Sequence, residues 1–339
     1  LKLTFWNVAL EIGRGTQWWG PGYHGSLLLT DHAFSLDMIK LGSDEAFRLP
    51  WGLKGLGEFK INSFLGQFED DRDFKHAKLF GLRLSYLPAS WLEVGLTRLT
   101  QFGGEGRNQS FPKAVVDCYT NPPNQTGQQD CNEQSMVDFR ATIPHVPYLI
   151  PFPAGLQIYG ELGSEDKWSK PIPSRAAFLA GLYIPQLIKG DTADFRIEYA
   201  DTDYTRRKTS DHLTGVWYNN GNYTSGMRQY GYPLGHHMGT DAIDIFIRST
   251  RYLTDTVQLG NNLNFQERQR GQSVHERKHE TSVDITWWVT PRTQLMLGYT
   301  YQRIKNPGQI SSTTPFAETF APSVTATNHL IWMNLAKDF

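Results

Sequence analysis

At 339 residues the chain has room for one large domain or two ordinary ones, and its 33 basic and 34 acidic residues leave a formal net charge of −1. Both signs are mixed along the whole length, which leaves no electrostatic footprint for nucleic acid. Mean hydropathy is −0.45, and the absence of any apolar run of about 18 residues excludes membrane-spanning helices but not a membrane barrel, whose strands show lipid only every second residue.

The chain starts at Leu1, carries no signal peptide, and otherwise reads as exported protein, so processing or truncation at the N-terminus is expected. Its aromatic content of 13% fits the two girdles a barrel places at the lipid headgroups. A carbohydrate-binding or aromatic-cored soluble protein would show it too.

Leu3 to Gly13 reads as a first strand. Gln17-Trp18-Trp19-Gly20-Pro21-Gly22-Tyr23 follows as a tight turn carrying three aromatics. Rings beside hydrogen-bonding groups suit stacking on a sugar, and they equally suit packing against a barrel wall; the residues leave both open. Phe80, Leu82, Leu84 and Tyr86 then alternate with Gly81, Arg83 and Ser85, and Leu92, Val94 and Leu96 with Glu93, Gly95 and Thr97. Each segment has one apolar and one polar face. Gln101-Phe102-Gly103-Gly104-Glu105-Gly106-Arg107 opens a long loop in which Glu105 and Arg107 either fix the loop or meet polysaccharide hydroxyls, loop-fixing being favoured. Within that loop Cys118 and Cys131 are the only cysteines, in a segment rich in Asn, Gln, Pro and Gly. One disulfide in an oxidising compartment is expected, because the spacing matches no metal site.

The alternation returns at Leu156, Ile158, Gly160 and Leu162 against Gln157, Tyr159 and Glu161, and at Phe195, Ile197 and Tyr199 against Asp194, Arg196 and Glu198. Glu161, Glu165 and Asp166 invite a glycosidase reading, which acidic strand ends alone do not support. Tyr218 to Gly239 is a glycine-rich segment holding Tyr223, Arg228, Tyr230, Tyr232, His236 and His237. His236-His237 shows no organised acidic or Cys partner, so no metal is expected there. Ile243, Ile245 and Ile247 alternate with Asp244 and Arg248. His275-Glu276-Arg277-Lys278-His279 matches the zinc-protease pattern H-E-x-x-H but runs into the strand of Val283 to Val289. On a strand its two His stand roughly 13 Å apart, too far to share a metal. Leu295 to Tyr301 and Ile331, Met333, Leu335 and Phe339 complete about 13 or 14 strands with no convincing helix.

Charges such as Arg83, Glu93, Arg196, Glu198, Asp244 and Arg248 fall mid-strand on the polar face, as in a wet lumen. Tight turns at Leu87 to Ser90, Leu253 to Asp255 and Thr290 to Arg292 alternate with long excursions at Gly103 to Gln134, Asp203 to Thr240 and Lys305 to Ala326. Short turns on one rim and long loops on the other give an all-β, antiparallel up-and-down transmembrane barrel of the bacterial outer membrane, with one domain over residues 1–339. The chain also ends on an aromatic residue, like the terminal strand of such barrels. No G-x-S-x-G elbow or P-loop occurs, and Asn108, Asn124 and Asn222 would be glycosylation sites only in a eukaryotic secretory context.

Four ordered segments resemble the Wzi capsule-assembly family: Gln17 to Tyr23 with Gly25-Ser26-Leu27; Leu92 to Leu96 running into Gly103 to Arg107; Tyr159-Gly160-Glu161 with Glu165-Asp166 and Pro173-Ser174; and Tyr230-Gly231-Tyr232-Pro233-Leu234-Gly235. The resemblance implies an outer-membrane barrel of roughly 18 strands with an N-terminal periplasmic helical bundle, and a non-enzymatic lectin that attaches capsular polysaccharide or exopolysaccharide to the cell. The first residues resemble the strand just before the Trp-Trp motif, so the bundle and about four strands are expected to be missing; either the chain is a part of its protein or this member is shorter, and because a barrel cannot leave open edges in lipid the first is expected. The cysteine loop departs from the family pattern and leaves the sugar preference open. On this reading the candidate polysaccharide-binding residues are Trp18, Trp19, Tyr23, Glu105, Arg107, Arg228, Tyr230, Tyr232 and His236. The expected partners are polysaccharide, outer-membrane lipid and lipopolysaccharide, with a monomer, no cofactor and no metal. A diffusion porin for oligosaccharides is the alternative, and an outer-membrane hydrolase using Glu105 or Glu165 a third class.

Overall fold

The structure, a computed structural model, describes residues 1–107, 110–120, 131–146, 150, 152–165, 176–203, 215–270, 273–309 and 319–337. Asn108, Asn124, Asp166, Pro173, Ser174 and Phe339, singled out above, lie outside the described residues.

The alternating segments pair in chain order into one 16-stranded antiparallel sheet. Fifteen strands follow one another along it: β1 Lys2–Phe5, β2 Val8–Gly15, β3 Leu36–Ser43, β4 Glu58–Gln67, β5 Lys78–Ala89, β6 Leu92–Phe102, β7 Asn132–Ile143, β8 Leu156–Glu165, β9 Ala176–Ile184, β10 Phe195–Asp201, β11 Ile243–Thr254, β12 Val257–Arg268, β13 Glu276–Thr290, β14 Thr293–Lys305 and β15 Thr325–Lys337. The sixteenth, Phe47–Arg48, pairs with β4 off this path. The expected single strand from Leu3 to Gly13 is in fact a hairpin, with Trp6 at φ 53° and Asn7 forming the turn between β1 and β2. A left-handed residue followed by Asn breaks what alternation alone reads as continuous.

Odd-to-even connections include the tight turns before β2, β6, β12 and β14, whereas the longest segments, 16–35, 103–131, 202–242 and 306–324, all leave even strands. The sheet therefore has a short-turn rim and a long-loop rim, as expected. Outward positions such as Ile12, Ile39, Leu82, Leu96, Ile158, Ile285 and Leu297 are exposed. Their inward neighbours Met38, Arg83, Thr97, Tyr159, Glu161 and Glu198 are buried. An apolar outer face around a polar inner wall is the inverse of a soluble sandwich, and it suits a lipid surround.

Ion pairs stiffen the inner wall. Arg83 on β5 and Asp138 on β7 meet at 2.6 Å across Gly95 of β6, and Arg248 on β11 and Asp284 on β13 meet at 3.0 Å across Gly260 of β12. A Cβ at either glycine would overlap the ion pair lying over it. Here glycine supplies space rather than backbone freedom.

A helix not anticipated from the sequence, α1 (Phe111–Thr120), opens inside the cysteine loop. Pro112 lies in its first turn, where the missing N–H costs nothing, and the amide of Ala114 bonds to the carbonyl of Ser110. Ala114 and Cys118 pack with Phe102 and Cys131 against Leu65 and Phe80. The Cys118–Cys131 disulfide is present, with Cα atoms 5.9 Å apart.

Among the described residues the sheet does not return on itself: β1 pairs only with β2, and β15 only with β14. The apolar core lies inside the curved sheet at its long-loop end. There Leu36, Met38, Phe64, Leu79, Leu99 and Leu179 of the wall meet Leu27, Leu28, Trp217, Tyr218, Met227 and Met238 from two inserted loops.

Candidate functional site

The two inserted loops, residues 16–35 after β2 and 215–241 before β11, form a plug in the lumen. Loop backbone carried into a buried place must find partners for its amides, and here buried wall carboxylates supply them. Glu161 accepts from the amides of Gly22 (3.1 Å) and Leu27 (2.7 Å) and from the Ser26 hydroxyl (3.1 Å). Glu198 accepts from the amides of Tyr23 (2.7 Å) and His24 (2.9 Å) and from the Tyr159 hydroxyl (2.8 Å). Glu165 takes the Tyr218 amide at 2.6 Å and the Gln134 side-chain amide at 2.5 Å. The plug loops are also tied to each other: the Tyr218 hydroxyl donates to the Leu27 carbonyl and accepts from the His236 amide, while Thr30 donates to the carbonyls of Leu234 and Gly235. Glu161 and Glu165, the two described members of the carboxylate trio, are thus loop anchors.

The candidate residues separate into three groups. Trp19, only 6% exposed and edge-on to Phe64, is core, as are Arg228 and His236. Arg228 donates to Asn219, Gly231 and Thr240 inside its own loop. These three are not placed to meet an external ligand, a correction to their inclusion above. Arg107 lies over the rings of Phe74 and Tyr223 and donates to the Asn222 carbonyl at 3.0 Å, the loop-fixing role. Glu105 is exposed beside His76 at 3.4 Å.

The exposed candidates lie in different places. Trp18 is half-exposed and closes its own turn by donating to the Gly22 carbonyl. Tyr23 is exposed toward Arg196, whose guanidinium sits 4.3 Å from its ring and 4.1 Å from that of Tyr183. Arg196 is at the short-turn end of β10, so Tyr23 faces the lumen beneath the plug. Tyr230, 54% exposed, and Tyr232 stand at the long-loop rim, where both meet Phe34 edge-on at 5.4 and 5.6 Å. Phe34, 59% exposed, was not anticipated. Its partners are nearly two hundred residues away, and no local pattern announces the meeting.

Beside these rings opens a cleft of about 370 Å³ lined by Arg14, Phe34, Asp37, Gln67, Glu69 and Tyr230 among others. Arg14 and Asp37 form a two-pronged ion pair at 2.8 Å on its edge. Glu69 accepts the Tyr230 amide at 3.1 Å, and burial pushes its carboxyl above the usual range while Arg72 partly offsets that. Ring faces, a guanidinium, carboxylates and a side-chain amide around one concavity can stack on a sugar and bond its hydroxyls.

His24, His32, His236 and His237 form an imidazole cluster in the plug. Burial holds all four below the ordinary histidine range, His24 at about 3. The sequence showed no acidic partner for His236-His237, but the fold brings Asp244 within 3.8 Å of His237. The H-E-x-x-H pattern runs from just before β13 into that strand, as expected, with Arg277 donating to His275 at 3.1 Å.

Over 201 residues the chain is 31% identical to an uncharacterized 55.8 kDa protein in the cps region of Klebsiella pneumoniae, a match covering 58% of this chain and 38% of that protein. Among solved structures it is similar to Escherichia coli Wzi, described as an outer membrane protein involved in group 1 capsule assembly and a carbohydrate-binding β-barrel. That likeness has a TM-score of 0.74 at 23% identity and covers 98% of this chain and 69% of that one. Pseudomonas aeruginosa OccK5 aligns at TM-score 0.49 and 10% identity, over 100% of this chain and 80% of its own. The pattern of the capsule assembly protein Wzi extends over residues 1–315, and the chain belongs to that family.

Proposed function

We propose that this chain is part of an outer-membrane lectin, not an enzyme, that holds capsular polysaccharide or exopolysaccharide at the cell surface through its long-loop rim. The observation that carries the reading is the exposed Phe34–Tyr230–Tyr232 cluster beside the cleft of Arg14, Asp37 and Glu69. Three solvent-facing rings held on the plug present large contact area at little conformational cost, which suits the apolar C–H faces of sugar rings. The likeness to a carbohydrate-binding barrel and to a protein of a cps region supports the same substrate class.

Tyr230, Tyr232 and Phe34 are the proposed stacking residues, with Glu105 and Trp18 as outlying contacts and Tyr23 on the lumen side. The protein acts as a monomer surrounded by outer-membrane lipid and lipopolysaccharide. Each of the two sheet edges left unpaired among the described residues is a row of backbone groups that lipid cannot satisfy, which supports closure of the sheet in the membrane. The plug argues against the diffusion-porin alternative. Titration of the purified full-length protein with the cell's own polysaccharide tests the lectin reading. Saturable binding, weakened about tenfold by Tyr230→Ala, is expected, about 1.4 kcal/mol for one lost stacking ring. A steady open conductance in planar bilayers without polysaccharide binding would establish the porin instead.

A further inference from the structure

We propose that His24, His237 and Asp244 form a binding site for one divalent transition-metal ion, zinc in the first instance, that clips both plug loops to the barrel wall. The three residues come from three elements: the loop after β2, the loop before β11, and β11 itself. One donor atom from each lies within 4.8 Å of the other two. His24 Nε2 is 3.7 Å from Asp244 Oδ2, and His237 Nε2 is 3.8 Å from Asp244 Oδ1. Donors around a tetrahedral ion with bonds of ~2.0–2.1 Å stand roughly 3.4 Å apart, so closure needs small side-chain rotations and no backbone change.

A second observation points to a ligand. His24 Nε2 is buried and has no hydrogen-bond partner among the described residues, although it faces a carboxylate. A buried ring nitrogen left in that state is costly unless something binds it. The surroundings orient the donors as supports outside a metal site do. The His24 ring lies flat on Phe246 at 3.9 Å with planes 6° apart, and Asn264 donates to Asp244 Oδ1 at 2.7 Å. Lys278, a nearby cation, is 3.8 Å from Glu280. Two imidazoles and one carboxylate suit zinc, cobalt or nickel, whereas magnesium and calcium prefer all-oxygen sets. The His24 and His237 side chains keep 22% and 18% of their surface, so a further small ligand can reach the ion. This site stands apart from the aromatic rim and does not depend on sugar binding.

The test is calorimetric titration of Zn²⁺ into the chelator-treated, purified full-length protein in detergent, with X-ray absorption of the zinc-loaded wild type. One ion per chain is expected, with a first shell of two imidazole nitrogens and one carboxylate. Affinity should fall at least a hundredfold in His237→Ala and in the near-isosteric Asp244→Asn, and should be unchanged in His279→Ala on the exposed part of β13. The proposal is overturned if the wild type takes up no stoichiometric zinc, if the absorption spectrum gives another ligand set, or if His279→Ala rather than the cluster variants abolishes binding. The spectrum of the wild type decides the matter even where a variant does not fold.

Discussion

Glu198 accepts two consecutive plug amides, those of Tyr23 and His24, on one carboxylate. Each charge-assisted bond of this kind contributes about 1.5–3 kcal/mol, and removing the acceptor also strands two buried donors. Glu198→Ala is therefore expected to raise amide hydrogen exchange at Tyr23 and His24 by at least tenfold while leaving the β5–β7 amides protected, as read by exchange mass spectrometry. That Glu198 faces the lumen was legible from its parity in β10. That it holds a loop was not, because its partners lie some 175 residues earlier. The same limit applies to the aromatics. Trp18 and Trp19 are neighbours of identical chemistry, yet one is half-exposed and the other is core. Only the fold separates a stacking platform from a packing ring, so a sequence-based choice of sugar contacts keeps Tyr230 and Tyr232, includes the buried Trp19, Arg228 and His236, and omits Phe34.

At the scale of elements, alternation decides nearly everything about the strands, since the period of two repeats without reference to distant partners. The apolar outer and polar inner faces of β5, β6, β8, β10, β11 and β13 follow the sequence parity, apart from inward apolar residues such as Leu79, Leu99 and Phe246 that pack against the plug. Where a local turn signal is weak the reading fails: Trp6-Asn7 splits one expected strand, and α1 hides in a loop whose apolar spacing is too short to stand out. Gly95 of β6 was legible only as a small polar-face residue and Gly260 of β12 was not singled out at all, although each makes room for an ion pair between its two neighbouring strands. Gly95→Val is expected to push Arg83 from Asp138. Breaking a pair this buried costs about 3–5 kcal/mol, enough to lower the urea midpoint of the refolded barrel clearly, whereas Gly13→Val in β2, where an added Cβ meets nothing within 4 Å, should cost far less. Equal losses from both substitutions would show that backbone effects, not the ion pair, set the cost.

For the whole molecule, the lipid-facing shell and the filled lumen have different origins. The shell comes from strand alternation and was readable in advance; the plug comes from carboxylates of the wall meeting amides of two distant loops, and was not. Together they leave one broad surface at the long-loop rim where rings are exposed on a rigid support. The rim is the proposed place of polysaccharide attachment, and the most direct measurement is capsule imaging of cells whose own gene carries Phe34→Ala, Tyr230→Ala and Tyr232→Ala together, with the barrel verified in the outer membrane. The expected result is polysaccharide that is still secreted but shed into the medium. A capsule of unchanged thickness and attachment in those cells would contradict the account.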